Sequence, residues 1–163
     1  MAEAPLVEPK LVSKYGMYIV GWEVRTANHD EANQATARIP ALWKRVQEEN
    51  LITRIPEVKD PSILLGIYTR YQRTDKGPYS LIVGTEVESI DSVPAGMVGI
   101  TVLSQEYLIF SATGQMPGAV ISAWTAVWKY FSQATVLRRS FTTDFERYDT
   151  AKPDEVDVYI AVR

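Results

Sequence analysis

An α+β fold made of two βαββ halves related by a pseudo-twofold axis is what this sequence predicts. Three observations lead to it. Strand-like and helix-like segments alternate with few long loops, the second half of the chain repeats the order of the first, and the apolar patterns of the repeated segments match. At 163 residues and 46% hydrophobic, the chain has the size of one domain and can bury a substantial core. The domain is placed at 15–163, after an N-terminal extension at 1–14, with halves at about 15–90 and 100–163.

The first half opens with YGMYIVGWEVR, Tyr15 to Arg25, whose β-branched and aromatic composition is that of a strand; the polar loop TANHDEANQ ends it. Ile39, Leu42, Trp43 and Val46 then recur at helical spacing and share one face, with Lys44, Arg45, Gln47 and Glu48 elsewhere on the helix. Pro40 falls in the first turn or at a kink. Two strands follow, SILLGIYTRYQ and PYSLIVGTEVE, joined through TDKG as a hairpin. The segment SIDSVPAGMVG reads as a linker.

The second half repeats this plan. QEYLIFSATG is a strand, GQMPG leads with Pro117 into a helix whose stripe is Val120, Trp124, Val127, Trp128 and Phe131, and FTTDFERYD and EVDVYIAVR are two more strands. Ile39, Leu42, Trp43 and Val46 align with Trp124, Val127, Trp128 and Phe131, and YTRY (Tyr68 to Tyr71) aligns with FERY (Phe145 to Tyr148). The helices are expected on one side of antiparallel sheets, with a ligand groove on the other side along the pseudo-twofold axis.

Strand parity distributes the candidates. Asp144, Glu146 and Tyr148 share one face, opposite Phe141, Thr143, Phe145 and Arg147. With Phe141 and Phe145 packed on the helix, Glu146 and Tyr148 face the groove, and Asp144 sits at its rim. In the first half the same reading sends Ile67, Thr69 and Tyr71 to the groove, so that Thr69 is the counterpart of Glu146. Trp22, Tyr79 and Trp124 are further candidates for the lining. Trp43 and Trp128 sit in apolar stripes and read first as core. From spacing alone, Glu146 is either a groove carboxylate or a solvated strand residue paired with Arg147 or Arg70.

Composition excludes several chemistries. The formal net charge of −3 does not suit direct nucleic-acid binding, and no run approaches a membrane span or the apolar core of a signal peptide. There is no cysteine, so disulfides and thiolate sites are excluded and a cytoplasmic location is expected. His29 is the sole histidine; with Asp30 and Glu31 beside it, it reads as a polar loop cluster, and neither a metal site nor a cofactor is expected. The glycines of VGIT and ATGQMPG lack the Gly-Lys-Ser/Thr ending of a phosphate loop.

The phrases GWEVRT, IPALWKRV, PAGM, EYLIFSATG and DFERY, in this order over most of the chain, resemble the GyrI-like effector-binding family, which includes ligand-sensing domains of AraC-type and MerR-type multidrug regulators. GWEVRT with IPALWKRV resembles in particular its free-standing, integron-associated members. The resemblance implies a protein that binds lipophilic organic cations without turnover. Glu146 matches the family's groove acid, and Tyr148, Tyr71, Trp124, Trp22 and Tyr79 are the ligand-binding candidates around it. Only the residues before Tyr15 precede the first strand, so the DNA-binding domain of the regulators is not expected here. A regulator partner or a homodimer is left open. Two other readings stand beside this one: a protein-interaction module like the gyrase inhibitors, and a small-molecule hydrolase using Glu146 as acid or base.

Overall fold

The computed structural model describes residues 8–133 and 135–163. Its strands are β1 (Lys10–Lys14), β2 (Met17–Thr26), β3 (Ile63–Thr69), β4 (Tyr79–Val87), β5 (Val98–Val102), β6 (Gln105–Thr113), β7 (Thr143–Asp149) and β8 (Glu155–Ala161). The helices are a short α1 (Asn28–Glu31), α2 (Ile39–Glu48) and α3 (Gly118–Phe131), with a single 3₁₀ turn at Leu51–Arg54. None of the described helices is long and apolar enough to cross a membrane.

All eight strands form one antiparallel sheet in the order β1-β6-β8-β7-β3-β4-β2-β5. Exchanging each strand of the first half with its counterpart in the second, and reading backwards, returns the same order. The pseudo-twofold axis therefore passes between β3 and β7. Each half carries one strand more than the expected βαββ, and that strand is exchanged: β1 pairs with β6 of the second half, and β5 with β2 of the first. Two boundaries are corrected by this. Lys10–Lys14 lies inside the stretch read as an N-terminal extension, and β5 begins inside the segment read as a linker.

One face of the sheet holds Ile19, Leu65, Ile67, Ile82, Tyr107 and Phe145 in a single buried cluster, to which Val12 of β1 and Val98 and Ile100 of β5 pack. At about 4.8 Å per strand, the edges of a flat eight-stranded sheet would lie some 30 Å apart. Their meeting in one cluster means that the sheet curls on this side and fills it with its own side chains. Helices α2 and α3 lie on the other face. Leu42 and Val46 seat α2 over Val20, Trp22, Leu81 and Val83, while Ala119, Ala123 and Val127 seat α3 over Leu108, Phe110, Val158 and Ile160. Small residues on α3 let that helix approach the sheet closely.

The exchange of edge strands yields a stability prediction. Removing residues through Lys14 exposes the β6 edge and strips cover from Val12's neighbours, at a cost of roughly 1–3 kcal/mol in hydrogen bonds and burial. Removing residues through Glu8 should cost little. Denaturant midpoints of the two truncated chains against full length check this, and equal midpoints for all three would show that β1 is dispensable.

Candidate functional site

The antiparallel register of β3 on β7 sets Gly66 opposite Glu146, with Tyr68 opposite Asp144 and Leu64 opposite Tyr148. Cross-strand partners share a face, so Leu64, Gly66 and Tyr68 lie with Glu146 and Tyr148 on the helix-bearing side. Applied to the whole sheet, the pseudo-twofold places Gly66 on Glu146 and Tyr68 on Tyr148. The expected equivalence of Thr69 with Glu146 is out by three residues. Thr69 is on the opposite face, where its hydroxyl meets that of Thr143.

Glu146 is 4% exposed, yet its carboxylate is fully engaged. Tyr148 donates its hydroxyl to Oε1 at 2.7 Å, Tyr68 to Oε2 at 3.0 Å, and the indole Nε1–H of Trp124 to Oε2 at 2.6 Å. No Lys, Arg or His forms an ion pair with it among the described residues. Burial pushes its carboxyl above the usual range, against the opposing pull of the three donors. The tyrosines stay protonated at neutral pH, since burial, followed by the Glu146 charge, raises both phenols. On the other strand Gly66 leaves the space this arrangement needs: a Cβ there would stand 3.3 Å from Glu146 Oε1 and 3.2 Å from the Trp43 ring.

Above this carboxylate, α2 and α3 flank a cavity of about 820 Å³ whose lining includes Trp43, Tyr68, Trp124, Trp128, Glu146 and Tyr148. Trp43 meets Tyr148 edge-on at 5.4 Å, and Trp124 meets Tyr68 edge-on at 5.3 Å. The groove thus opens between the helices and not on the opposite side of the sheet, which is the physical consequence of Phe145 packing into the curled face rather than against a helix. Asp144 is likewise fully buried instead of rim-exposed. It accepts from Arg139 at 2.8 Å, from the Tyr71 hydroxyl at 2.5 Å and from the Ala161 amide at 2.8 Å.

Of the six candidate residues, Glu146, Tyr148, Tyr71, Trp124 and Tyr79 line this one cavity. Trp22 does not. It is 3% exposed in the core beneath α2, with the Arg45 guanidinium 3.7 Å above its ring. Trp43 and Trp128, expected in the core, stand at the cavity instead, and Trp128 is 52% exposed. Tyr68 and Leu64 were missed because the parity assigned to β3 was inverted. Tyr71 reaches the cavity because Arg70 has φ 52°, a left-handed turn that reverses the alternation after Thr69. Among the described residues no cluster of His, Asp or Glu is arranged to hold a metal.

Comparison with known proteins places this geometry. The sequence matches the family described as integron-associated effector binding protein over residues 10–162. The chain belongs to that family. An integron cassette protein from the mobile metagenome of Vibrio cholerae has the same fold at 34% identity and a TM-score of 0.81, covering 97% of both chains. YobU of Bacillus subtilis, taken to be a transcriptional regulator, is 28% identical over 148 residues, 88% of this chain and 90% of its own length. The protein SAV2435, solved bound to tetraphenylphosphonium, shares the fold at 22% identity with a TM-score of 0.77, over 96% of this chain and 94% of that one.

The environment of Glu146 predicts a pH signature in stability. Its folded-state pKa is raised, so between the unfolded value near 4.5 and the higher folded value the folded state binds more protons. Unfolding free energy should therefore fall as pH rises through that window. The penalty is absent below the unfolded value and complete above the folded one. Glu146→Gln removes this component, so the stability difference between the variant and wild type should grow in the variant's favour from about pH 4.5 upward, and a pH-independent difference would place the carboxylate in solvent.

Proposed function

We propose that this protein is a binding and sensing module for lipophilic organic cations, which it holds reversibly between α2 and α3. The observation that carries this reading is the buried Glu146 carboxylate, held by three neutral donors and without a protein cation among the described residues, at the floor of an aromatic cavity. A cation lodged there would supply the missing positive charge, and its organic groups would fill apolar volume. Trp124, Tyr148, Tyr71 and Tyr79, together with Trp43 and Tyr68, present π faces and ring edges to such a guest. Further support comes from SAV2435, which has the same fold and was solved with a lipophilic phosphonium ion. Family membership and the YobU relationship support a role in effector sensing, in which occupancy of the cavity would be the signal.

Affinity for a planar or tetra-aryl cation should lie in the micromolar range, about −8 kcal/mol. Neutral isosteres should bind more weakly, and anions hardly at all. Because Trp43, Trp124 and Trp128 border the cavity, occupancy should quench tryptophan emission. Glu146→Gln keeps an acceptor but removes the charge, and should weaken cation binding by roughly 1.5–3 kcal/mol. Fluorescence titration with tetraphenylphosphonium, a neutral isostere and tetraphenylborate, on both proteins, checks these statements. Equal response to all three compounds, or an unchanged affinity in a folded Glu146→Gln protein, sinks the reading.

The raised pKa also sets a pH dependence for binding. A permanently charged guest favours the carboxylate, so affinity should rise with pH through the empty-state pKa and level off above it. Titration of a quaternary ammonium dye from about pH 4.5 to 8 at fixed ionic strength measures this. A flat profile for wild type, or the same rise in Glu146→Gln, contradicts the assignment.

A further inference from the structure

The cavity has a second acidic end. Glu31 and Asp75 line it together with Glu146; among the described residues Glu31 forms no ion pair, and Asp75 has only Arg139, which also borders the cavity and is shared with Asp144. Arg139 is divided between Asp75 and Asp144, at 2.8 Å from each, so with both carboxylates ionised these three groups carry one net negative charge. Asp144 is wholly buried, whereas the Asp75 side chain is 27% exposed, and so the surplus charge is presented by Asp75. The Glu31 carboxylate accepts the backbone N–H groups of Arg38 and Ile39 and the Thr26 hydroxyl, which leave its charge in place. The Arg38 guanidinium turns away to the Arg25 carbonyl, and Arg73 and Lys76, in the loop that carries Asp75, are exposed and outside the lining.

Between the two ends runs a ladder of aromatic rings. Trp124 to Tyr68 is 5.3 Å, Tyr68 to Tyr79 is 5.7 Å, and Tyr79 to Tyr71 is 6.0 Å between centroids. Its first two rings bond Glu146, and the last bonds Asp144. Tyr79 stands midway, and its phenol is pushed up to about 12 by burial and then by the charges of Glu31, Asp75 and Glu146, so all three carboxylates act on one point of the cavity. A guest with a single positive centre would satisfy one end of this arrangement and leave the other unmatched.

We infer that the cavity is built for elongated dications, with one positive centre at Glu146, an apolar or aromatic spacer along the tyrosine ladder, and a second positive centre at Asp75 and Glu31. This rests on the cation-binding reading above and adds to it the charge count and the shape of the guest.

The test uses alkane-α,ω-bis(trimethylammonium) salts from hexamethylene to dodecamethylene, each against the ω-hydroxyalkyl-trimethylammonium ion with the same spacer, titrated into the full-length protein by calorimetry. Affinity of the bis salts should pass through a maximum at one spacer length, where it exceeds the matched monocation by about tenfold. That figure is the low end for charge-assisted contacts, because Asp75 and Glu31 are partly solvated. Asp75→Asn and Glu31→Gln should each lower the ratio of bis to mono affinity severalfold, whereas Glu146→Gln should weaken both salts. The spacer series on the unaltered protein keeps the inference testable even where a variant folds poorly. Bis salts that merely track the monocations across the series, without an optimum, overturn the second site and leave the first intact. Failure of every salt to bind would overturn both.

Discussion

The antiparallel pairing of β3 with β7 joins the two halves of the chain, and the site takes its geometry from the register of that one pair. With Gly66 facing Glu146 across the axis, a side chain at either position occupies space that its symmetry mate would also claim. Two carboxylates there would be like charges within a few ångströms, in a largely buried position. Even a methyl group on Gly66 would press on Glu146 Oε1 and on Trp43. One half therefore supplies the acid and the other supplies bare backbone. Tyr68 and Tyr148 are related by the same axis, and both are aimed at the carboxylate that lies on it. Duplication provides a pair of donors; departure from symmetry provides the single acceptor between them.

The balance of energies at that point decides what the cavity can hold. Removing an ionised carboxylate from water costs several kcal/mol even after relaxation, and each hydrogen bond from a neutral donor to a charge returns about 1.5–3 kcal/mol. Three donors hold Glu146 in place without bringing its pKa back to the ordinary value. The empty site is consequently formed and still electrostatically short of a positive charge. The contrast with Asp144, two residues away on the same face of β7, is instructive. It too is fully buried, but Arg139 stands against it, and its remaining partners are the Tyr71 hydroxyl and a backbone amide. Asp144 has a protein cation against it, although burial still holds its carboxyl above the usual range, whereas Glu146 has none among the described residues.

The legible parts of this structure were those that depend on local period and composition. The two long helices, six of the eight strands and the sharing of one face by Glu146 and Tyr148 follow from spacing alone. Which face that is does not, because β3 and β7 are central strands with apolar cover on both sides, and parity cannot tell a helix from a curled sheet as the cover. Phe145 looked like a helix contact and is instead part of the curled face. The match of YTRY to FERY was equally misleading: aromatic and arginine residues recur, but the pseudo-twofold relates Gly66 to Glu146 and Tyr68 to Tyr148, whereas the four-letter match sets Tyr68 on Phe145 and Thr69 on Glu146. Tyr71 came out at the cavity for a reason invisible to alternation, the left-handed Arg70. The two missed strands, β1 and β5, are short edges whose pairing partners lie in the other half, so nothing near them in the sequence marks them as strands.

Helical stripes failed for a related reason, and the failure bears on recognition. On α3 the apolar positions form two adjoining rows. Ala119, Ala123 and Val127 are spaced to lie flat on the sheet, while Val120, Trp124 and Trp128 are rotated by about 100° and overhang the cavity. Hydrophobicity treats the rows alike, but size separates them. The small row fixes how closely the helix lies on the sheet, and that fixes the distance at which the Trp124 indole reaches Glu146. A site preorganised in this way spends little of its binding energy on reordering side chains when a guest arrives. Its aromatic walls are held by the same packing that stabilises the fold, so under the proposed function selectivity would fall to the charge and length of the guest.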